Sequence, residues 1–109
     1  MIAAGVGFRR GCSAEEILAV LRDAELQAGL RADVVAAPAF KGAMDGLSLV
    51  LISDAAVQAA QPACVTRMRD GRPSVAEACA LAAAGNGAVL RLPRIAHPRA
   101  TCALAESAS

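Results

Sequence analysis

The turn Gly5-Val-Gly-Phe-Arg-Arg-Gly11 concentrates the chemistry this sequence offers. It leads from an apolar segment into a helix start, where free amides and the positive end of the helix dipole favour an anion. Arg9 and Arg10 add two fixed charges beside it, each a planar fork that grips carboxylates or phosphates in pairs. The plainer alternative packs one arginine over a sheet edge and leaves the other in solvent. A dinucleotide-binding turn is excluded. That fingerprint is Gly-x-Gly-x-x-Gly with an acidic residue after the next strand, whereas the glycines here stand at 5, 7 and 11.

Other reactive side chains are scattered. Cys12 stands beside the arginines, a setting that can lower a thiol pKa. Position 18 is Leu, where a cysteine-phosphatase loop needs Arg, and no His lies near in sequence, so a structural Cys12 is expected. His97, between Ala96 and Pro98, reads as a loop residue rather than a base. Glu16 and Glu77 each complete a Ser-x-x-Glu capping box, with Ser13 and Ser74, and they are the acidic residues to nominate if water must be activated. Arg67, Arg69, Asp70 and Arg72 form either a solvated loop or a second basic patch. The cysteines at 12, 64, 79 and 102 are far apart and His97 is the sole histidine, so no zinc or redox pair can be written and no protein-held metal is expected.

These residues need a scaffold, and the composition bounds it. The chain has 109 residues, 56% of them hydrophobic, enough for one domain spanning 1–109 with one core. Only Phe8 and Phe40 are aromatic, so small aliphatic side chains must fill that core. The formal net charge of +1 provides no global field toward nucleic acid or membranes. All basic residues but Lys41 are Arg, a bias that suits carboxylate recognition and that a GC-rich coding sequence would also produce. No signal peptide or membrane-spanning run is read, and free thiols in a reducing cytoplasm are expected.

Apolar runs and turn signals place the elements. Ile2–Gly7 reads as a buried strand, and Ser13-Ala-Glu-Glu16 opens a helix over 14–28 that Gly29 stops. Asp33–Ala37 is a second strand, and Leu47–Ile52 a third, expected to be buried on both faces. Ser53-Asp54 caps a short helix to about Gln61, and Cys64–Met68 reads as a short strand. Pro73-Ser-Val-Ala-Glu77 opens a helix over 75–84. Ala88–Leu92 is a strand, Arg94–Arg99 a proline-bearing loop, and Ala100–Ala105 the last strand before a frayed tail. The alternation predicts an α/β fold with a parallel or mixed sheet of about five strands. The short gap between Ala37 and Leu47 conflicts with this, since a parallel crossover usually takes a dozen or more residues. Either those strands are not parallel neighbours or a crossover helix is missing.

Two motifs in order, Gly5-x-Gly-x-Arg-Arg-Gly-x-Ser-Ala-Glu-Glu-Ile17 and Pro73-Ser-Val-Ala-Glu-Ala78 with Ala-Ala-Gly85, carry a family resemblance. With the Ala-Phe-Lys41 segment and the closing Ala-Thr-Cys-Ala-Leu-Ala105, the chain resembles the CobE proteins of cobalamin biosynthesis. These correspond to the C-terminal domain of CbiG, the cobalt-precorrin-5A hydrolase. The resemblance implies a three-layer α/β/α sandwich and a role in building the corrin ring of vitamin B12. It also implies a ligand pocket formed by Gly5, Gly7, Arg9, Arg10, Gly11 and Ser13, with Lys41, Ser74 and Glu77 contributing. Corrin intermediates are fringed with carboxylates, which suits paired arginines.

Three roles follow as expectations. The first is binding of a carboxylate-rich corrinoid or precorrin, with no cofactor and with any cobalt arriving in the macrocycle. The second is hydrolysis of a ring-fused lactone with Glu77 or Glu16 as base, which the missing counterpart of CbiG's N-terminal region disfavours. The third is an interaction module, homo-oligomeric or bound to a pathway enzyme, through an exposed Leu47–Ile52. No nucleic-acid or membrane partner is expected.

Overall fold

The computed structural model describes residues 1–42 and 44–108. Strands β1 (Ile2–Phe8), β2 (Val34–Pro38), β3 (Val50–Ile52), β4 (Val89–Ala96) and β5 (Ala100–Glu106) form one sheet in the order β3-β2-β1-β5-β4. The β1–β2 and β2–β3 pairs are parallel, and the β1–β5 and β4–β5 pairs antiparallel. Helix α1 (Ala14–Ala28) covers one face, while α3 (Val75–Ala84), flanked by α2 (Asp54–Ala60), covers the other. The result is the expected α/β/α sandwich with a mixed sheet.

β1 reads as a continuous apolar run because it lies at the centre of the sheet. Its alternation sends Ile2, Ala4 and Val6 to the α1 side and Ala3 to the α3 side. On α1, Ile17, Val20, Leu21 and Ala24 are buried at helical spacing and meet Cys102 and Leu104 of β5 in the same cluster. The helix starts and stops as its sequence dictates. The Glu16 amide donates to the Ser13 hydroxyl at 3.2 Å, and the Ser13 amide donates to the Glu16 carboxylate at 3.0 Å. Gly29 ends the helix in the left-handed region at φ 67°.

α3 is built from small residues, and this lets it lie directly on the sheet. A Cβ placed on Gly5 would fall 1.9 Å from the Ala76 carbonyl oxygen and 2.4 Å from the Ala80 amide. Gly5 is therefore the point where helix and strand backbones meet.

Three expectations are corrected. The third strand is only Val50–Ile52, not Leu47–Ile52, and it is a sheet edge with Val50 45% and Leu51 43% exposed. β2 and β3 are nevertheless parallel neighbours. Among the described residues their connection has only a 3₁₀ turn at Ala39–Lys41, and Met44, Leu47 and Leu49 pack on the core from this connection. Cys64–Met68 forms no strand, and only an isolated bridge joins Arg67 to Pro73. Finally, β4 runs on through Arg94 to Ala96, where a proline-bearing loop over Arg94–Arg99 is expected. Pro93 is accommodated because β4 is an edge strand whose register with β5 shifts between Leu92 and Ile95.

The Arg9–Cys12 turn fixes the path from β1 into α1. The Cys12 amide donates to the Arg9 carbonyl at 3.1 Å. Gly11, third in the turn, has φ 84°, and among the described residues no non-glycine residue has positive φ, the pattern of a type II turn. Gly11→Ala meets no neighbour within 4 Å, so its cost is conformational alone, about 1–2 kcal/mol by chemical denaturation.

A cationic cleft at the strand ends

From β1 the chain moves to β2 and β3 on one side of the sheet, then returns to β4 and β5 on the other. Open α/β sheets bind ligands outside the carboxyl ends of parallel strands at such a switch point. Here Phe8 and Pro38, at the ends of β1 and β2, flank a cleft of ≈ 240 Å³. The β4–β5 turn and the first turn of α3 close its other sides.

The cleft is one-sided in charge. Among the described residues Arg9, Lys41, Arg94 and Arg99 line it, with His97 at the same wall and no Asp or Glu, and Arg99 also pairs with the Glu16 carboxylate at 3.8 Å. The Lys41 ammonium lies 5.6 Å from the Phe8 ring centroid and 5.9 Å from that of Phe40, which holds the charge over an aromatic floor. The Arg94 Nε is buried without a hydrogen-bond partner among the described residues, an expensive state for a guanidinium donor. Val75 and Ala76 also line the cleft, and their amides, in the first turn of α3, have no intrahelical acceptor.

Two hollows adjoin the cleft and share Phe40 with it. One of ≈ 360 Å³ is lined by Arg9, Arg10, Gly11 and Lys41. The other, ≈ 520 Å³, is lined by Arg69 and Arg72, and Arg72 is ion-paired with Asp70 at 3.4 Å. Arg67 is absent from that lining. Phe40, 65% exposed, is thus the common apolar surface of a long recess.

The residues singled out in the sequence separate into groups. Arg9, Lys41 and Gly7 line the cleft with Ser74, while Arg10 and Gly11 line the smaller adjoining hollow. Gly5 does not reach it, because its missing Cβ is filled by α3. Ser13 lies in the α1 capping box rather than in the cleft. The free amides expected after Gly11 are partly used: the Cys12 amide bonds Arg9 and the Ser13 amide bonds Glu16. The positive helix end that faces the cleft belongs to α3 instead. Arg94, Arg99 and Thr101 complete the lining. Nothing local marks them in the sequence, because a two-strand excursion brings them to β1.

Glu77 has a different job from the one its capping motif suggests. The Ser74 hydroxyl accepts from the Glu77 amide at 3.2 Å, but the Ser74 amide bonds the Thr66 carbonyl instead. The Glu77 carboxylate is buried and accepts from the amides of Val65 at 2.8 Å, Thr66 at 3.0 Å and Arg94 at 2.8 Å. Burial pushes this carboxyl up. Hydrogen bonding from Arg94, Thr66 and Val65 more than reverses that and holds it below its ordinary value. A carboxylate so engaged is a brace between the 64–66 segment and β4, not a free base. Glu16 is likewise held by the Ser13 amide.

Burial, with the nearby Glu16 carboxylate, raises the Cys12 thiol against the opposing pull of Arg99, the reverse of nucleophile activation. Cys79 and Cys102 are pushed up to about 12 by burial. All four cysteines are free. The His97 Nε2 lies 2.9 Å from the Asp23 carboxylate on α1, a hydrogen bond that holds Asp23 below its usual range. Among the described residues no group of His, Cys, Asp or Glu could hold a metal, and no helix is long and apolar enough to cross a membrane.

Residues 2–105 match the family described as "Cobalamin synthesis G C-terminus". The cobalamin biosynthesis protein chiG from Agrobacterium tumefaciens is 32% identical, with full coverage of both chains and a TM-score of 0.83. CobE, a protein of the cobalamin (vitamin B12) biosynthetic pathway, is 31% identical over 96% of this chain and 89% of its own, with a TM-score of 0.85. A putative cobalamin biosynthesis protein G homolog from Sulfolobus solfataricus shares the fold at 23% identity and a TM-score of 0.71, over 95% of this chain and 36% of its own. No curated protein matches the chain. A cationic switch-point cleft on this sandwich, and a family match over nearly the whole length, place the chain in the CbiG C-terminal family as a cobalamin biosynthesis protein of the CbiG and CobE type.

Proposed function

We propose that the domain binds a corrin-ring intermediate with its peripheral carboxylates in the cleft between β1, β2 and the β4–β5 turn. The observation that carries this reading is a lining of Arg9, Lys41, Arg94 and Arg99 without an acidic residue among the described residues. Arginine forks pair with carboxylates in bidentate fashion. The exposed Phe40 and the Met68 beside it offer apolar surface to a flat macrocycle, with room along the adjoining hollows. The engagement of Glu77 and Glu16 supports binding rather than lactone hydrolysis as the work of this cleft.

The test is absorbance titration with a carboxylate-bearing corrinoid. The chain has no Trp or Tyr, so visible and near-ultraviolet bands report the ligand. Arg9→Ala with Arg94→Ala is expected to weaken binding by about 2–4 kcal/mol, with the loss growing smaller as salt is raised. Unchanged affinity in a folded double variant refutes the assignment.

A further inference from the structure

We infer that Glu77 is a positioning residue that acts on a bound anion through Arg94, an inference that rests on the corrinoid-binding reading above. Glu77 itself is buried and is not among the residues that line the cleft. Its route to a ligand starts at an irregularity in β4. Leu92 pairs with Leu104 and Ile95 with Cys102, so Pro93 and Arg94 together stand opposite Ala103. Such a bulge leaves one residue outside the ladder and re-aims a side chain. Regular alternation from Leu92 would put position 94 on the α1 side. Ile95 packs there with Leu92 instead, and Arg94 lines the cleft with Val75 and Ala76 of α3.

The Glu77 carboxylate holds this arrangement. Its Oε1 accepts from the amides of Val65 at 2.8 Å and Thr66 at 3.0 Å, and its Oε2 accepts from the Arg94 amide at 2.8 Å. Pro93 has no amide, so the donor that the bulge must satisfy is that of Arg94. The Arg94 Nε is buried without a hydrogen-bond partner among the described residues, a donor left for a ligand. One carboxylate thus fixes the backbone from which the guanidinium reaches into the cleft. A glutamine at 77 cannot repeat this. With its oxygen on Val65 and Thr66, its amide nitrogen faces the Arg94 amide, donor against donor.

The experiment is a double-mutant cycle on ligand binding. A cobalt corrin with its acetate and propionate side chains as free acids is titrated by visible absorbance. The proteins are the full chain, Glu77→Gln, Arg94→Ala and the combination, each shown to be folded by circular dichroism. Each single substitution is expected to weaken binding roughly 10-fold, and Glu77→Gln to add nothing once Arg94 is replaced. A loss from Glu77→Gln that is equal in both backgrounds, or absent from both, overturns the positioning role while corrinoid binding stands. Glu77→Asp, which keeps the charge and shortens its reach, takes its place in the cycle if Glu77→Gln does not fold. Hydrogen exchange in the parent chain checks the contact without any substitution. The Arg94 amide is expected to be protected, and exchange as fast as in an exposed turn overturns the inference. No binding by the parent chain refutes the underlying reading, and this inference falls with it.

Discussion

Glu77→Ala is expected to destabilise the fold by about 3–5 kcal/mol, measured by chemical denaturation at neutral pH. The substitution leaves the amides of Val65, Thr66 and Arg94 without their acceptor. It also removes a side chain that ties the 64–66 segment, the first turn of α3 and β4 together. Such a loss is a large share of the stability of a domain this size. Glu77→Gln keeps one acceptor oxygen and is expected to cost less, about 1–2 kcal/mol. The two variants also separate charge from connectivity. The folded-state pKa of Glu77 lies below its ordinary value, so the unfolded chain takes up the proton first as pH falls. Its contribution is complete above the ordinary carboxylate range and is lost as pH falls through the depressed folded value. The parent protein should show this acid-side loss, and Glu77→Gln should show less of it. Equal acid sensitivity in both would remove Glu77 as its source.

Gly5→Ala should be as severe, about 3 kcal/mol or more, for a purely steric reason. The new Cβ would stand 1.9 Å from the Ala76 carbonyl oxygen. Relief requires moving α3 as a body away from the central strand, which opens the cluster around Ala78, Cys79 and Ala80. Gly7→Ala is the informative control two residues along. Its nearest atom is the Thr101 hydroxyl at 2.8 Å, the end of a side chain that can rotate, so a milder loss is expected. Thermal unfolding of the pair distinguishes backbone contact from side-chain crowding. A Gly5→Ala protein as stable as Gly7→Ala would contradict the close approach of α3 to β1.

Local signals along the chain were legible wherever the cause was itself local. The capping serines, the helical spacing of Ile17, Leu21 and Ala24, and the stops at Gly29 and Gly85 place α1 at 14–28 and α3 at 75–84, as found. The central strand was legible because burial on both faces leaves an unbroken apolar run. Edge strands were not. Leu47–Ile52 has the composition of a central strand, but only Val50–Ile52 pairs, and its upstream leucines cover the face that a crossover helix would otherwise occupy. The proline-bearing segment Arg94–Arg99 reads as a loop, yet β4 continues to Ala96 and tolerates Pro93, because an edge strand has one side free of hydrogen bonds.

The sequence by itself determined the α/β class, the two long helices, the turn that carries Arg9 and Arg10, and the family. Only the tertiary structure decided what each motif residue does. Gly5 and Glu77 sit in motifs that read as a ligand pocket, yet one admits a helix backbone and the other braces three amides. Arg94 and Arg99 carry no motif and still line the cleft with Arg9 and Lys41. The physical reason is range. Caps, turns and periodicity are set by neighbours a few residues away, whereas a cleft is made by strand order, which joins β1 to β5 across the whole length of the chain.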